Sequence, residues 1–158
     1  MKDPDQQFID DLQREDDVGL VLRGHLHIEH QLVEMLSEFL PFADRADWGM
    51  VNYRAKVEMA YAAGLPEDLK KLLERIGALR NGFAHTLSSS VTKEMALNLY
   101  NSLSDLYRRG LKESYKAMDM GEFGSPASLE PRDLLTLVFI QARQAIKAAV
   151  FVLREAKA

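Results

Sequence analysis

The segment Arg80-Asn81-Gly82-Phe83-Ala84-His85 places a permanent cation, an amide and a titratable imidazole within six residues. An arginine offers a planar, always-charged fork that matches phosphate oxygens, and a histidine exchanges a proton near neutral pH. These are the groups a metal-free site uses on a phosphodiester. RNA cleavage needs a base near the 2′-hydroxyl, an acid for the leaving oxygen and donors for the charge accumulating on phosphorus. His85 suits either proton transfer, Arg80 the electrostatic role, and Asn81 the orientation of the phosphate or the imidazole. The bland alternative is purely structural, with Arg80 paired to a buried acid, Asn81 capping the helix C-terminus and His85 answering the helix dipole.

Geometry constrains the first reading. At about 100° per residue, Asn81 and His85 lie ~40° apart around a continuing helix, whereas Arg80 and His85 lie ~140° apart. From an unbroken helix, Arg80 and His85 cannot converge on one phosphate. Either the helix unwinds near Gly82, a poor helix former, or Arg80 of one copy meets His85 of another across a two-fold axis. The second route makes the chain a homodimer whose interface builds the site.

Three of the four histidines sit in Arg23-Gly24-His25-Leu26-His27-Ile28-Glu29-His30. On a helix His25 and His27 point ~200° apart, so only the pairs His25/Glu29 and His27/His30 share a face. Two ligands make a weak site, and neither a metal nor another cofactor is expected. His25 and Glu29 interrupt an apolar stripe of Val18, Leu22, Leu32, Leu36 and Phe39. A carboxylate there needs a partner, and Arg80 is the expected one. Glu29 then either positions the guanidinium of the site or neutralises it in a structural ion pair. Lys56, Lys70, Lys71, Arg75, Arg108, Arg109 and Lys112 are interleaved with Glu58, Glu67, Asp68, Glu74 and Glu113, a pattern that favours a salt-bridged surface over a phosphate groove. Tyr53, Tyr61, Tyr100, Tyr107 and Tyr115 fall at helical spacings and read as core-edge residues before base-stacking ones.

The elements that must position these residues are helices. Apolar residues recur at spacings of three and four almost throughout, with no strand-like alternation, so the chain reads as an all-α, single-domain bundle of about five or six helices. Asp3 and Pro4 open a first helix to about Gln13, and a second starts after Asp16 or Asp17 and runs to Leu40, where Pro41 stops it. After a loop over 41–50, a third covers about Val51 to Ala63, with Gly64 in a left-handed cap. Pro66 opens the fourth, whose stripe of Leu69, Leu72, Leu73, Ile76 and Phe83 brings Arg80 onto or beside it. Residues 87–90 form a loop, a fifth helix runs from about Thr92 to Met118 with a kink at Gly110, and Ser128 caps a last helix with Pro131 in its first turn. That last helix is apolar on more than one face. It is either central to the bundle or supplies a dimer seam in which Ala142, Ala145 and Ala149 allow close approach.

A chain of 158 residues with 47% hydrophobic content supports one domain over residues 1–158. Without cysteine there is no disulfide framework and no thiolate chemistry. The N-terminus lacks a signal-peptide pattern, and the run 134–140 meets Gln141, Arg143 and Lys147 far short of a membrane span, so a cytoplasmic protein with no membrane partner is expected. The net charge of −4 disfavours broad backbone-driven nucleic-acid binding, but residues 1–20 hold seven acids against Lys2 and Arg14, which leaves about +1 for the remainder. The acidic start reads as a solvated helix and capping region.

The segment Arg80 to His85 fits the Arg-x4–6-His signature of the HEPN superfamily, helical-bundle proteins in which the Arg is commonly followed by a polar residue, here Asn81. The chain also resembles the mannitol operon repressor family, which is related to HEPN proteins. That similarity runs through Lys56-Val57-Glu58-Met59-Ala60-Tyr61-Ala62-Ala63-Gly64-Leu65 and Leu79 to His85, with a weaker echo in 23–29, and covers residues 18–105. The first resemblance implies a metal-independent endoribonuclease, active as a dimer on RNA, in which Arg80 and His85 work together and an antitoxin is a natural partner. The second implies a transcriptional regulator or protein-interaction module without a helix-turn-helix. The ribonuclease-type site is the favoured expectation, and the non-catalytic regulator its rival.

Overall fold

Most of the helices start at a residue whose side-chain oxygen satisfies a free backbone N–H of the first turn. The computed structural model describes residues 4–86 and 90–158. Among them run α1 (Pro4–Gln13), α2 (Asp17–Phe39), α3 (Tyr53–Ala62), α4 (Glu67–Ala84), α5 (Lys93–Asn101), α6 (Asp105–Ala117) and α7 (Pro131–Lys157). Short 3-10 turns occupy Ala43–Arg45, Trp48–Met50 and Pro126–Ser128, and there is no strand among the described residues. Asp16 accepts from Gly19 N–H at 2.7 Å to start α2, and Asn52 accepts from Ala55 N–H at 2.9 Å to start α3. Thr92 does the same for Met95 in α5 at 3.2 Å. The expected cap Asp3 and most of the loop expected at 87–90 lie outside the described residues.

The all-α expectation holds, and the count rises to seven helices because one expected helix is two. Between α5 and α6 the Ser102 hydroxyl donates to the Leu99 carbonyl at 2.6 Å, closing one helix. Ser104 then accepts from Tyr107 N–H at 3.4 Å and opens the next. Serine competes with the helix for its own backbone, so a Ser-x-Ser step breaks the run where hydrophobic periodicity alone does not. Helix α6 runs on through Gly110. A Cβ there would lie 2.6 Å from Gln141 Oε1, so this glycine lets α6 approach α7. Ser128 does not cap α7 either: its hydroxyl donates to the Ser125 carbonyl at 2.6 Å within the preceding turn, and α7 starts on Pro131.

At the end of α3, Gly64 takes φ +122°, Leu65 N–H donates to Ala60 O and Gly64 N–H donates to Tyr61 O, each at 3.0 Å. This is the paired-bond stop that the sequence position of Gly64 predicts. Leu65 is buried and turns the chain sharply into α4.

Helix α7 is the centre of the bundle and packs on α2, α5, α6, α4 and α1. Its length and apolar content would suffice to cross a membrane, but most of its apolar stretch is buried against the other helices, as in the core helix of a bundle. Ala142, Ala145 and Ala149 are buried within the chain, where these small residues allow close helix packing. Gly24 of α2 lies against Phe139, whose ring would be 2.9 Å from a Cβ. This close approach seats α2 on α7 and fixes which face of α2 is left for α3 and α4.

Candidate functional site

Helices α2, α3 and α4 pack on one another and leave a cleft of about 780 Å³ between them. Helix α2 contributes His25 and Glu29, the start of α3 contributes Asn52, Tyr53 and Arg54, and α4 contributes Glu74, Arg80 and Asn81. Tyr53 pins the first turn of α3 to α4. Its hydroxyl donates to the Leu73 carbonyl at 2.7 Å, and its ring lies so close to Gly77 that a Cβ there would be 2.7 Å away. Burial, reinforced by the negative charges of Glu29 and Glu74, pushes the Tyr53 hydroxyl far above its usual titration range, so it stays neutral.

His25 is buried and packs its ring against Tyr53, with centroids 4.2 Å apart. Burial drives its pKa down to about 4, which the Glu29 carboxylate opposes and the charges of Arg80 and Lys56 assist. The imidazole is therefore neutral at pH 7. Its Nδ1 is 3.9 Å from a Glu29 oxygen, and its Nε2 has no hydrogen-bond partner among the described residues.

Glu29 does need a partner, but the partner is Lys56 and not Arg80. Lys56 Nζ donates to Glu29 Oε1 at 2.8 Å. The reason is burial: Lys56 is only 5% exposed, and an ammonium held there without a counterion is far costlier than an Arg80 that reaches water. The carboxylate thus answers the more desolvated cation. Lys70 pairs with Glu58 at 3.0 Å and Glu74 at 3.7 Å, and Lys71 with Glu67 at 3.1 Å, so these lysines form the salt-bridged surface that charge interleaving predicts.

With Glu29 taken by Lys56 and Glu74 turned to the Lys70 it shares with Glu58, two cations of the cleft remain. Arg80 is partly exposed, and its Nη1 donates to the Asn81 side-chain oxygen at 3.3 Å. Arg54 is exposed. Among the described residues neither has a carboxylate within ion-pairing distance. Asn81 is the near neighbour of Arg80 on the same cleft wall and lies inside α4, which is closed by His85.

His85 stands elsewhere. It occupies the position that closes α4, is exposed and does not line the cleft. Helix α4 continues through Gly82 to Ala84, so the unwinding that would swing His85 toward Arg80 within one chain does not occur. A side chain on Gly82 would meet open space; nothing packs there to bend the helix. Arg80 and Asn81 are brought together, Glu29 lines the same cleft but is paired with Lys56, and His85 is left outside it.

The remaining histidines serve local pairs, His27 with Asp11 at 3.4 Å and His30 with Glu34 at 3.2 Å. Among the described residues no three acidic or histidine side chains converge as metal ligands. Sequence reasoning had a signal for His25, a polar residue on an apolar stripe, but placed it near a single partner and not in the cleft of Arg80. Arg54 and Asn52 carried no signal at all, because an exposed arginine and a helix cap are ordinary at the start of a helix. No family model, no curated protein and no solved structure matches this chain.

Proposed function

We propose that this chain is a HEPN-like, metal-independent endoribonuclease of the cytoplasm that works as a homodimer. In this reading Arg80 holds a phosphodiester of RNA, Asn81 orients the guanidinium, and His85 of a second copy transfers the proton. One observation carries the proposal: Arg80 lines an open cleft with no carboxylate in ion-pairing reach among the described residues, while the acid expected to neutralise it is taken by Lys56. The 2′-oxygen attacks phosphorus, the 5′-oxygen leaves, and the products are a 2′,3′-cyclic phosphate and a 5′-hydroxyl. Arg80 offsets the charge on the non-bridging oxygens, His85 either takes the 2′ proton or returns one to the leaving oxygen, and water completes the other transfer.

The position of His85 favours the rival reading in one respect. An exposed imidazole outside the Arg80 cleft also suits a non-catalytic regulator, similar to the mannitol operon repressor family, that meets an antitoxin or another protein through this end of α4. Purified protein incubated with diverse RNAs in EDTA separates the two. Catalysis by one general acid–base residue is typically worth about 10²–10⁴ in rate, so His85→Ala should suppress cleavage by that order, and Arg80→Ala comparably, with the helical signal unchanged. Absence of cleavage by the wild type hands the function to the regulator.

A further inference from the structure

We propose that the cleft between α2, α3 and α4 is a binding site for a phosphomonoester, with Arg54 and Arg80 as its charged ligands and His25 Nε2 as a third, buried hydrogen-bonding group. The proposal rests on the preceding reading only in giving Arg80 a phosphate; it needs neither His85 nor cleavage. Three independent features support it.

The first is charge. Glu29 is matched by Lys56 at 2.8 Å and Glu74 shares Lys70 with Glu58, at 3.7 Å and 3.0 Å, while among the described residues the guanidiniums of Arg54 and Arg80 have no carboxylate within ion-pairing distance, so positive charge is in excess at the cleft. Two such forks suit a terminal phosphate, which carries up to two negative charges and three unesterified oxygens. The ten-residue helix α3 also directs its amino end, Asn52 and Tyr53, to this cleft and adds positive potential of the same sign.

The second is an unmet hydrogen bond. His25 is 5% exposed and lines the cleft, yet its Nε2 has no partner among the described residues. A buried polar atom left unpaired is costly, and such atoms collect where a ligand completes them. The neighbouring Glu29 carboxylate favours the proton on Nδ1, so the neutral ring offers the lone pair of Nε2, which accepts from a protonated phosphate oxygen or from a hydroxyl of the ester. The ring is held in place by Tyr53, itself fixed to the Leu73 carbonyl.

The third is size. About 780 Å³ falls in the range of small-molecule sites and exceeds what a phosphate group occupies, so there is room for the ester's organic part as well. The same chemistry is offered by a free nucleotide and by the 5′ end of an RNA.

Calorimetric titration of the full chain tests this with AMP against adenosine, and with one short RNA bearing a 5′-phosphate against its 5′-hydroxyl form. The expected result is that a phosphorylated probe binds better than its unphosphorylated counterpart. Arg54→Gln and Arg80→Gln should each weaken that binding about tenfold to a hundredfold at unchanged helical content, the usual weight of a charged hydrogen bond. Lys71→Gln, outside the cleft, should bind as the wild type does. AMP binding without a preference among the RNAs assigns a free nucleotide, and a preference for the 5′-phosphate RNA assigns an RNA end. The proposal is overturned if neither phosphorylated probe is preferred or if both arginine variants bind unchanged. A wild type that binds phosphomonoesters and cleaves no RNA leaves this site standing and removes the ribonuclease. Equal binding of the two RNAs with no AMP binding does the reverse.

Discussion

Lys56 depends on Glu29, since Lys56 is buried and its contact to Glu29 is 2.8 Å. Glu29→Gln would leave an ammonium uncompensated, and breaking a buried pair costs on the order of 3–5 kcal/mol. For a chain of this length that corresponds to a fall of about 6–20 °C in melting temperature. An unchanged melting curve would mean that Lys56 swings out to water. His25 makes a second prediction at this scale. Its pKa is about 4 in the folded chain against an ordinary value of 6.5, so between these limits the unfolded chain binds the proton and the folded one does not. This contribution is fully present above about pH 6.5 and is lost as pH falls toward 4, up to about 3 kcal/mol. Urea midpoints from about pH 7 to about pH 4.5 should therefore fall more steeply in the wild type than in His25→Gln. Parallel curves would refute a neutral, buried imidazole.

At the scale of elements, the chain uses capping to divide one amphipathic run into two helices. The Ser102 and Ser104 hydroxyls take bonds that a continuous helix from Lys93 to Ala117 would give to the backbone, and α6 then turns to meet α7 through Gly110. Loss of an N-cap typically costs about 1 kcal/mol, so Ser104→Ala should lower the melting temperature by about 2–4 °C. Thermal unfolding followed by circular dichroism checks this. No change at all would mean that the break is held by the packing of Leu103 and Tyr107 alone, both of which are buried.

For the whole molecule, the acidic N-terminal region caps α2 through the exposed Asp16, as expected, and in addition ties elements together. Asp5 meets Arg143 and Lys147 of α7, and Asp17 accepts from Arg132 of α7 at 2.7 Å and from Val91 N–H at 2.7 Å. One carboxylate thus joins the starts of α2 and α7 to the segment that precedes α5. The assembly of two such bundles is the scale at which the proposed ribonuclease stands or falls. If Arg80 and His85 act from different copies, mixing inactive Arg80→Ala and His85→Ala proteins should restore cleavage, because each mixed dimer holds one intact pair. A mixture that stays inactive although light scattering shows dimers would exclude the shared site.

The amino-acid sequence by itself determined that the chain is helical, where most helices begin and end, and which residues face the core. Those properties follow from local rules: the period of three and four, the oxygen that caps a first turn, and the glycine at position 64 that accepts positive φ. Sequence also singled out Arg80, Asn81, His25 and Glu29 as residues out of keeping with a plain bundle. Tertiary structure alone decided who meets whom. Glu29 turned to Lys56 because burial depth, which no spacing encodes, ranks the cations that compete for a carboxylate. His85 fell outside the cleft because α4 stays helical past Gly82, and Arg54 entered it because the ring of Tyr53, seated on Gly77, aims the first turn of α3 at α4. Angles between packed helices are set by side chains far apart in the chain, so a site built at their junction becomes visible only when they are packed.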